Sequence, residues 1–116
     1  MSAAAANGLV TYTINSQSGN YTLASTDQYQ VLVITTNAST KTVSIPTDAT
    51  YAFPNGTAIT ILNTGAGLLT INAVTSGTTT VTSAGATSAS PTVAQYKAAV
   101  AIKTATNAWT VVGAVA

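Results

Sequence analysis

Short runs of β-branched and aliphatic residues, separated by turn-forming residues at nearly regular spacing, restrict the fold of this chain more than any other feature. Apolar and polar residues alternate within the runs, as in half-buried strands. The alternation is clearest where Leu69, Ile71 and Ala73 fall on one face and Thr70 and Asn72 on the other. The pattern predicts an all-β, single-domain β-sandwich or jelly-roll-like fold with about eight to ten short antiparallel strands and no helix.

The stretch FPNGTAITILNTGAGLLTI, from Phe53 to Ile71, contains two of these runs. The Pro-Asn-Gly sequence at 54–56 is turn chemistry, and a strand with Ile59 and Ile61 on one face follows it. Residues 63–67 are polar and glycine-containing, so we predict that they form the loop of a β-hairpin. The GAG sequence in this loop leads into a strand and not into a helix, which argues against a phosphate-binding loop.

The remaining runs predict further strands. They lie at 9–15, 21–24, 28–36, 41–45, 78–83, 92–105 and 107–112. Within 28–36, the VLVI sequence is apolar on both faces, which is typical of a central strand covered by a layer on each side. The strands share composition, but the sequence shows no clean internal repeat.

The segment 92–105 is ambiguous, because its alanine content also suits a helix. Strict alternation favours a strand. It puts Ala98, Val100 and Ile102 on one face, and Lys97 and Lys103 on the opposite face, which we interpret as solvated.

With 116 residues, the chain has room for one domain. We predict an N-terminal arm over residues 1–8 and a β-sandwich domain over residues 9–116. The arm, MSAAAANG, is too short for a stable helix, and a disordered terminus is the alternative. It lacks the basic start and apolar stretch of a secretion signal, and no apolar run is long enough for a membrane-spanning helix.

Charged residues make up only 4% of the sequence, with a net charge of +1 and no arginine, glutamate or histidine. So small a charge cannot neutralise the phosphates of a nucleic acid, and it opposes association between copies only weakly. The chain has no cysteine, which leaves neither disulfides nor thiolate metal ligands. We therefore expect a structural protein that associates with others, without nucleic acid, membrane, metal or cofactor.

The residues that could support catalysis are few. Asp27 and Asp48 both lie in turn-like contexts, where we expect each carboxylate to cap nearby backbone groups. The aromatic residues Tyr96 and Trp109 are candidate core or interface residues. Trp109 fits a core position best, with an interface anchor or sugar-stacking role as the alternative. We predict no catalytic, cofactor-binding or metal-binding residue.

Six sequence pieces in order resemble a module of tailed-bacteriophage structural proteins. They are NYTL, TVSIP, FPNGTAITILNTGAG, LTI, QYKAAVAIK and NAWTVVG, between about Tyr21 and Gly113. The module is found in head-decoration, collar-appendage and tail-fibre proteins. The resemblance implies a β-rich, commonly trimeric virion component without catalytic residues.

In fibre proteins the module usually follows a long upstream region, whereas here a methionine stands just ahead of the first predicted strands. We therefore expect a capsid decoration, or cement, protein: a homotrimer, made in the host cytoplasm, that binds the major capsid protein on the outer surface of the head. The arm residues expected to contact the capsid are Ala3, Ala4, Ala5, Ala6 and Asn7.

Two other functions stay open. The first is a tail-fibre or collar-appendage module that binds a host receptor or surface glycan. The second is a small hydrolase that uses Asp27 and Asp48, which the shortage of titratable groups disfavours.

Overall fold

The structure is a computed structural model that describes residues 11–116, and its regular structure is mostly β with almost no helix. The ten strands are β1 (Thr13–Gln17), β2 (Tyr21–Thr22), β3 (Val31–Thr35), β4 (Lys41–Ile45), β5 (Ala58–Asn63), β6 (Leu69–Ala73), β7 (Thr80–Thr82), β8 (Thr92–Val93), β9 (Lys97–Ala105) and β10 (Ala108–Gly113). A 3₁₀ helix at Ser25–Gln28 lies between β2 and β3, so the expectation of a helix-free chain was wrong by one short turn. The all-β prediction is confirmed.

The strands form two mixed sheets. Sheet A has the order β1-β3-β5-β9-β10-β7, and sheet B has the order β2-β4-β6-β8. The prediction of antiparallel strands was wrong for five of the eight pairings, namely β1/β3, β3/β5, β2/β4, β4/β6 and β7/β10, which are parallel. Only β5/β9, β9/β10 and β6/β8 are antiparallel.

The parallel pairings arise because the chain alternates between the sheets. β1, β3 and β5 belong to sheet A, while β2, β4 and β6 belong to sheet B. One strand of sheet A and the next strand of sheet B form a unit, and each unit stacks on the previous one through parallel pairing in both sheets. This connectivity is that of a short β-solenoid. The stacked units differ in length: Thr13 pairs with Val31, but Leu32 pairs with Thr60. That difference explains why the sequence shows no clean period.

The predicted hairpin at 53–71 does not form. β5 pairs with β3 and β9 in sheet A, and β6 pairs with β4 and β8 in sheet B. The glycine-containing loop between them carries the chain from one sheet to the other. Turn chemistry signals a change of direction, but it does not specify whether the next strand returns beside the first or crosses to another layer.

Two glycines let this loop lie against the loop of the preceding unit. A Cβ atom on Gly65 would overlap the carbonyl oxygen of Asn37, and one on Gly67 would overlap the carbonyl oxygen of Ser39. The Gly67 N–H donates to the Asn37 carbonyl at 3.1 Å. The GAG sequence is therefore needed for close stacking of two backbone segments.

Asn63, at the end of β5, holds the same loop in place from inside. The side chain is buried, and its Nδ2 donates to the carbonyl oxygens of Gly67 and Val93, each at 2.9 Å. Its Oδ1 accepts from Gly65 N at 3.0 Å and from Thr35 Oγ1 at 3.1 Å. This amide joins both sheets, because Thr35 lies on β3 and Val93 on β8.

The inward faces of both sheets contribute to one hydrophobic core. Its members are Leu23, Val33, Val43, Ile45, Phe53, Ile59, Ile61, Leu69, Ile71, Val81, Val93, Ala99, Ala101, Trp109 and Val111. Phe53 packs edge-on against Trp109 with ring centroids 5.3 Å apart, and Tyr51 packs edge-on against Phe53 at 4.7 Å.

The strand prediction for 92–105 is confirmed in type, since β8 and β9 cover most of it, but the predicted facing of β9 was wrong. Lys103 faces the core beside Ala99 and Ala101 and is only 2% exposed. Ala98, Val100 and Ile102 lie on the opposite face, and Lys97, at the start of the strand, is exposed. Alternation separates the two faces of a strand, but it does not show which of them is buried.

Candidate interaction surface

The outward face of sheet A is aliphatic across five neighbouring strands. We call it the aliphatic face; its apolar members include Ile14, Leu32, Ile34, Leu62, Ala98, Val100, Ile102 and Val112, and the hydroxyl groups of Ser16, Thr60 and Thr110 lie among them. The register aligns Ile14, Leu32, Thr60, Val100 and Val112 in one row from β1 to β10. Ile14 is 62% exposed and Val112 44%, while the interior positions are half-buried.

This face carries no charged side chain among the described residues. Lys41 lies on β4 of sheet B, and Lys97 and Lys103 belong to the other face of β9. Asp27 is buried, and Asp48 pairs with Lys103. Beside β1, an open depression lined by Tyr12, Leu32 and Thr60 marks the rim of the face. The largest apolar patch on a soluble protein is often functional, so this face is a candidate interaction surface.

The outward face of sheet B has the opposite character. We call it the hydroxyl face; it comprises Thr22, Thr42, Ser44, Thr70, Asn72 and Thr92. Ser44 Oγ donates to Asn72 Oδ1 at 2.8 Å, across the paired strands β4 and β6. Water can hydrogen-bond to hydroxyl and amide groups of this kind, so this face can remain solvated at little cost in free energy. Exposing the aliphatic face to water costs more free energy.

Asp27 lies in a buried polar cluster. Its carboxylate accepts hydrogen bonds from Tyr21 Oη at 2.6 Å, from Ala24 N at 2.8 Å and from Asn15 Nδ2 at 3.0 Å. Burial, followed by the hydrogen bond to Asp27, raises the pKa of Tyr21 to about 12. The bond from Ala24 caps the 3₁₀ helix, as the turn context predicted, and each carboxylate oxygen accepts at least one hydrogen bond.

Asp48 has distant partners instead of the local ones expected from its turn. Lys103 Nζ lies 3.0 Å from Asp48 Oδ1 and donates to the Phe53 carbonyl at 2.8 Å. The other carboxylate oxygen accepts from Asn107 N at 3.2 Å. The ammonium also lies 6.0 Å from the centroid of the Trp109 ring. The ion pair therefore joins a loop to β9 at the edge of the core.

In the part of the chain that the structure describes, the two aspartates share no hydrogen-bond partner. Within residues 11–116, no three His, Cys, Asp or Glu side chains come together as a potential metal site. In the same range, no helix has the length and apolar character needed to cross a membrane.

The structure separates the two candidate aromatic residues. Trp109 is 1% exposed and lies in the core, so its ring is inaccessible to a sugar or a partner protein. Tyr96 is 75% exposed. The arm contacts at residues 3–7 lie outside the described residues.

Sequence reasoning missed the aliphatic face, although it identified every strand that forms the face. The usable signal was the VLVI run, which is apolar on both sides. Its outward residues Leu32 and Ile34 belong to the aliphatic face.

Comparison with known proteins adds no assignment. No protein-family model matches the chain, and neither a curated protein nor a solved structure shows significant similarity to it. The functional argument therefore depends on the surfaces described above.

Proposed function

We propose that this protein is a non-enzymatic virion structural protein, a capsid decoration or cement protein that binds the outer surface of a phage head as a trimer and stabilises its lattice. The observation that carries the proposal is the charge-free aliphatic face of sheet A opposite the hydroxyl face of sheet B. A body with these two faces suits permanent packing in a larger assembly. The proposed architecture is a two-layer β-sandwich around the shared core.

The resemblance of the chain to phage structural modules supports the same role. So does the state of its two aspartates, whose oxygens are engaged with hydrogen-bond donors and, for Asp48, with Lys103. A carboxylate held in this way is poorly placed to act as a general base. We therefore propose a structural and not a catalytic role for both residues.

The proposed mechanism is linkage. A protein that binds only the assembled lattice stabilises that lattice by mass action, in proportion to its occupancy of the sites. Because the chain has so few charges, apolar and backbone contacts would dominate the binding, and it would be insensitive to salt. The segment at residues 1–8 would reach an adjacent capsid subunit.

The test uses heads of the virus that carries the protein, stripped of it and then mixed with the purified chain. We expect reoccupied heads to rupture at a higher temperature than bare heads. We also expect the occupancy of the heads to persist as the NaCl concentration rises from roughly 0.1 M to 1 M. Equal rupture temperatures for both kinds of head would contradict the proposal. A truncation lacking residues 1–8 should bind less tightly, and unchanged binding would remove the arm from the mechanism.

A tail-fibre or collar-appendage module is the second candidate. The observation that favours it is the exposure of Tyr29 (68%) and Tyr96 (75%), since exposed aromatic rings and hydroxyl groups bind sugars. Glycan binding that is lost in Tyr96→Ala, without binding to heads, would support this candidate over the first.

A further inference from the structure

We propose that the aliphatic face is the surface through which copies of this chain associate with one another. The proposal specifies the self-association that the proposed function assumes, and it rests on that function only for the identity of the final assembly. The occupant of the face is therefore another copy of the chain, and in the proposed trimer each aliphatic face packs against the aliphatic faces of the other two copies.

The first argument is the missing layer. Parallel strands with one solvated face carry polar side chains on it, as sheet B does, whereas strands that are apolar on both sides are typical of sheets covered on both faces. β3 has this composition and is parallel to β1 and β5. The core covers its inward residues Val33 and Thr35, but the described part of the chain supplies no layer over Leu32 and Ile34. The layer must come from outside that part.

The second argument is size. Five strands about 4.8 Å apart and about five residues long give a face of roughly 24 by 17 Å, or about 400 Å² in the plane of the sheet. Side-chain relief and the rim at Tyr12, which is 49% exposed, increase the accessible area further. A standard interface buries about 800 Å² per partner, so the plane of this face alone corresponds to about half of a specific contact, and its side-chain relief adds to that.

The third argument concerns which partner is suitable. The face lacks charge, so an identical face meets it without leaving a buried ion unpaired, and a net charge of +1 adds little repulsion between copies. Other copies of the chain are present wherever it is made, so they are available to cover an apolar face from synthesis onward.

The test introduces one charge into the face and measures association of the full-length purified chain. Val100→Lys puts an ammonium in the interior of the face, on β9 between β5 and β10. Thr70→Lys is the matched control, because Thr70 is also half-buried, outward and central in its sheet, but belongs to the hydroxyl face. Sedimentation equilibrium gives the dissociation constants, and circular dichroism with thermal unfolding shows whether each variant is folded.

We expect the natural chain and Thr70→Lys to be oligomers, and Val100→Lys to dissociate with a constant at least ~100-fold higher, as for a charge buried without a partner. Leu62→Lys, in the neighbouring row, provides a second variant should Val100→Lys fail to fold. A monomeric natural chain, or a folded variant that associates as tightly as the natural chain, would overturn the proposal.

A truncation lacking residues 1–10 tests the alternative occupant, which is the chain's own N-terminal segment. If the natural chain is monomeric and the truncation associates, that segment covers the face and the proposal is wrong. Head binding is measured separately, so an oligomer that ignores heads retains this inference and contradicts only the decoration function.

Discussion

Lys103 Nζ lies 3.0 Å from Asp48 Oδ1, and this ion pair joins residues 55 positions apart in the chain. Lys103 is 2% exposed, whereas the Asp48 side chain is 18% exposed. The ammonium has one further acceptor, the carbonyl oxygen of Phe53. Neutralisation of the buried positive charge on Lys103 therefore depends on Asp48. The Asp48 carboxylate, in contrast, also contacts solvent and Asn107 N.

This asymmetry predicts unequal costs for the two single substitutions. Asp48→Ala leaves a buried ammonium without its counterion and should lower the free energy of unfolding by about 3–5 kcal/mol. Lys103→Met retains an apolar stem of similar length and should cost clearly less, by roughly 2 kcal/mol or below. Urea unfolding of both variants and of the double variant measures the coupling. Equal costs for the two single substitutions would show that the buried ammonium is not the source of the effect.

The facing of β9 shows how far the sequence could be interpreted. Alternation correctly divided its residues into two sets, but charge suggested that the set with Lys97 and Lys103 was solvated. Lys103 can be buried because a loop that is distant in sequence supplies the carboxylate of Asp48. No local sequence pattern encodes that these two residues are close in space. The aliphatic face was missed for the same reason, because burying Lys103 turns Val100 outward.

Strand positions were predictable because each depends on local alternation and on nearby turn residues. Sheet membership was not, since β5 and β6 have the sequence of a hairpin yet lie in different sheets. The difference depends on backbone stacking at Gly65 and Gly67, which is a contact between successive loops and not a property of either loop alone.

Loop stacking predicts that Gly65 cannot accept a methyl group. In Gly65→Ala, the new Cβ would overlap the carbonyl oxygen and amide of Asn37, so two backbone segments must separate. We expect a loss of about 2 kcal/mol or more in the free energy of unfolding. Gly19→Ala is the matched control, because a Cβ there meets no atom within 4 Å, and it should be neutral or slightly stabilising. Similar losses in both variants would contradict the stacking argument.

Thr79 offers a stabilising substitution. Its Oγ1 is buried and has no hydrogen-bond partner among the described residues. Thr79→Val removes that hydroxyl at nearly constant shape, so we expect the free energy of unfolding to rise by up to about 1 kcal/mol. Thr35 is equally buried, but its Oγ1 donates to Asn63 Oδ1, so Thr35→Val should lower stability by about 1 kcal/mol. Thermal unfolding distinguishes the two, and a destabilised Thr79→Val would indicate that the hydroxyl has a partner in solution.

The hydrogen bond from Tyr21 to Asp27 predicts a pH dependence in alkaline solution. Because the pKa of Tyr21 is raised from 10.0 to about 12, the folded state holds the phenol proton more tightly than the unfolded state. The stability from this difference is fully present below pH 10 and is lost as the pH rises through about 12. Tyr21→Phe should be less stable at neutral pH, since Asp27 loses a donor, but its stability should fall less steeply between pH 10 and 12.

Tyr29→Phe, which changes an exposed ring, is the control and should follow the natural chain. Urea midpoints measured every half unit across that range decide the matter: parallel curves for the natural chain and Tyr21→Phe would remove Tyr21 as the group responsible.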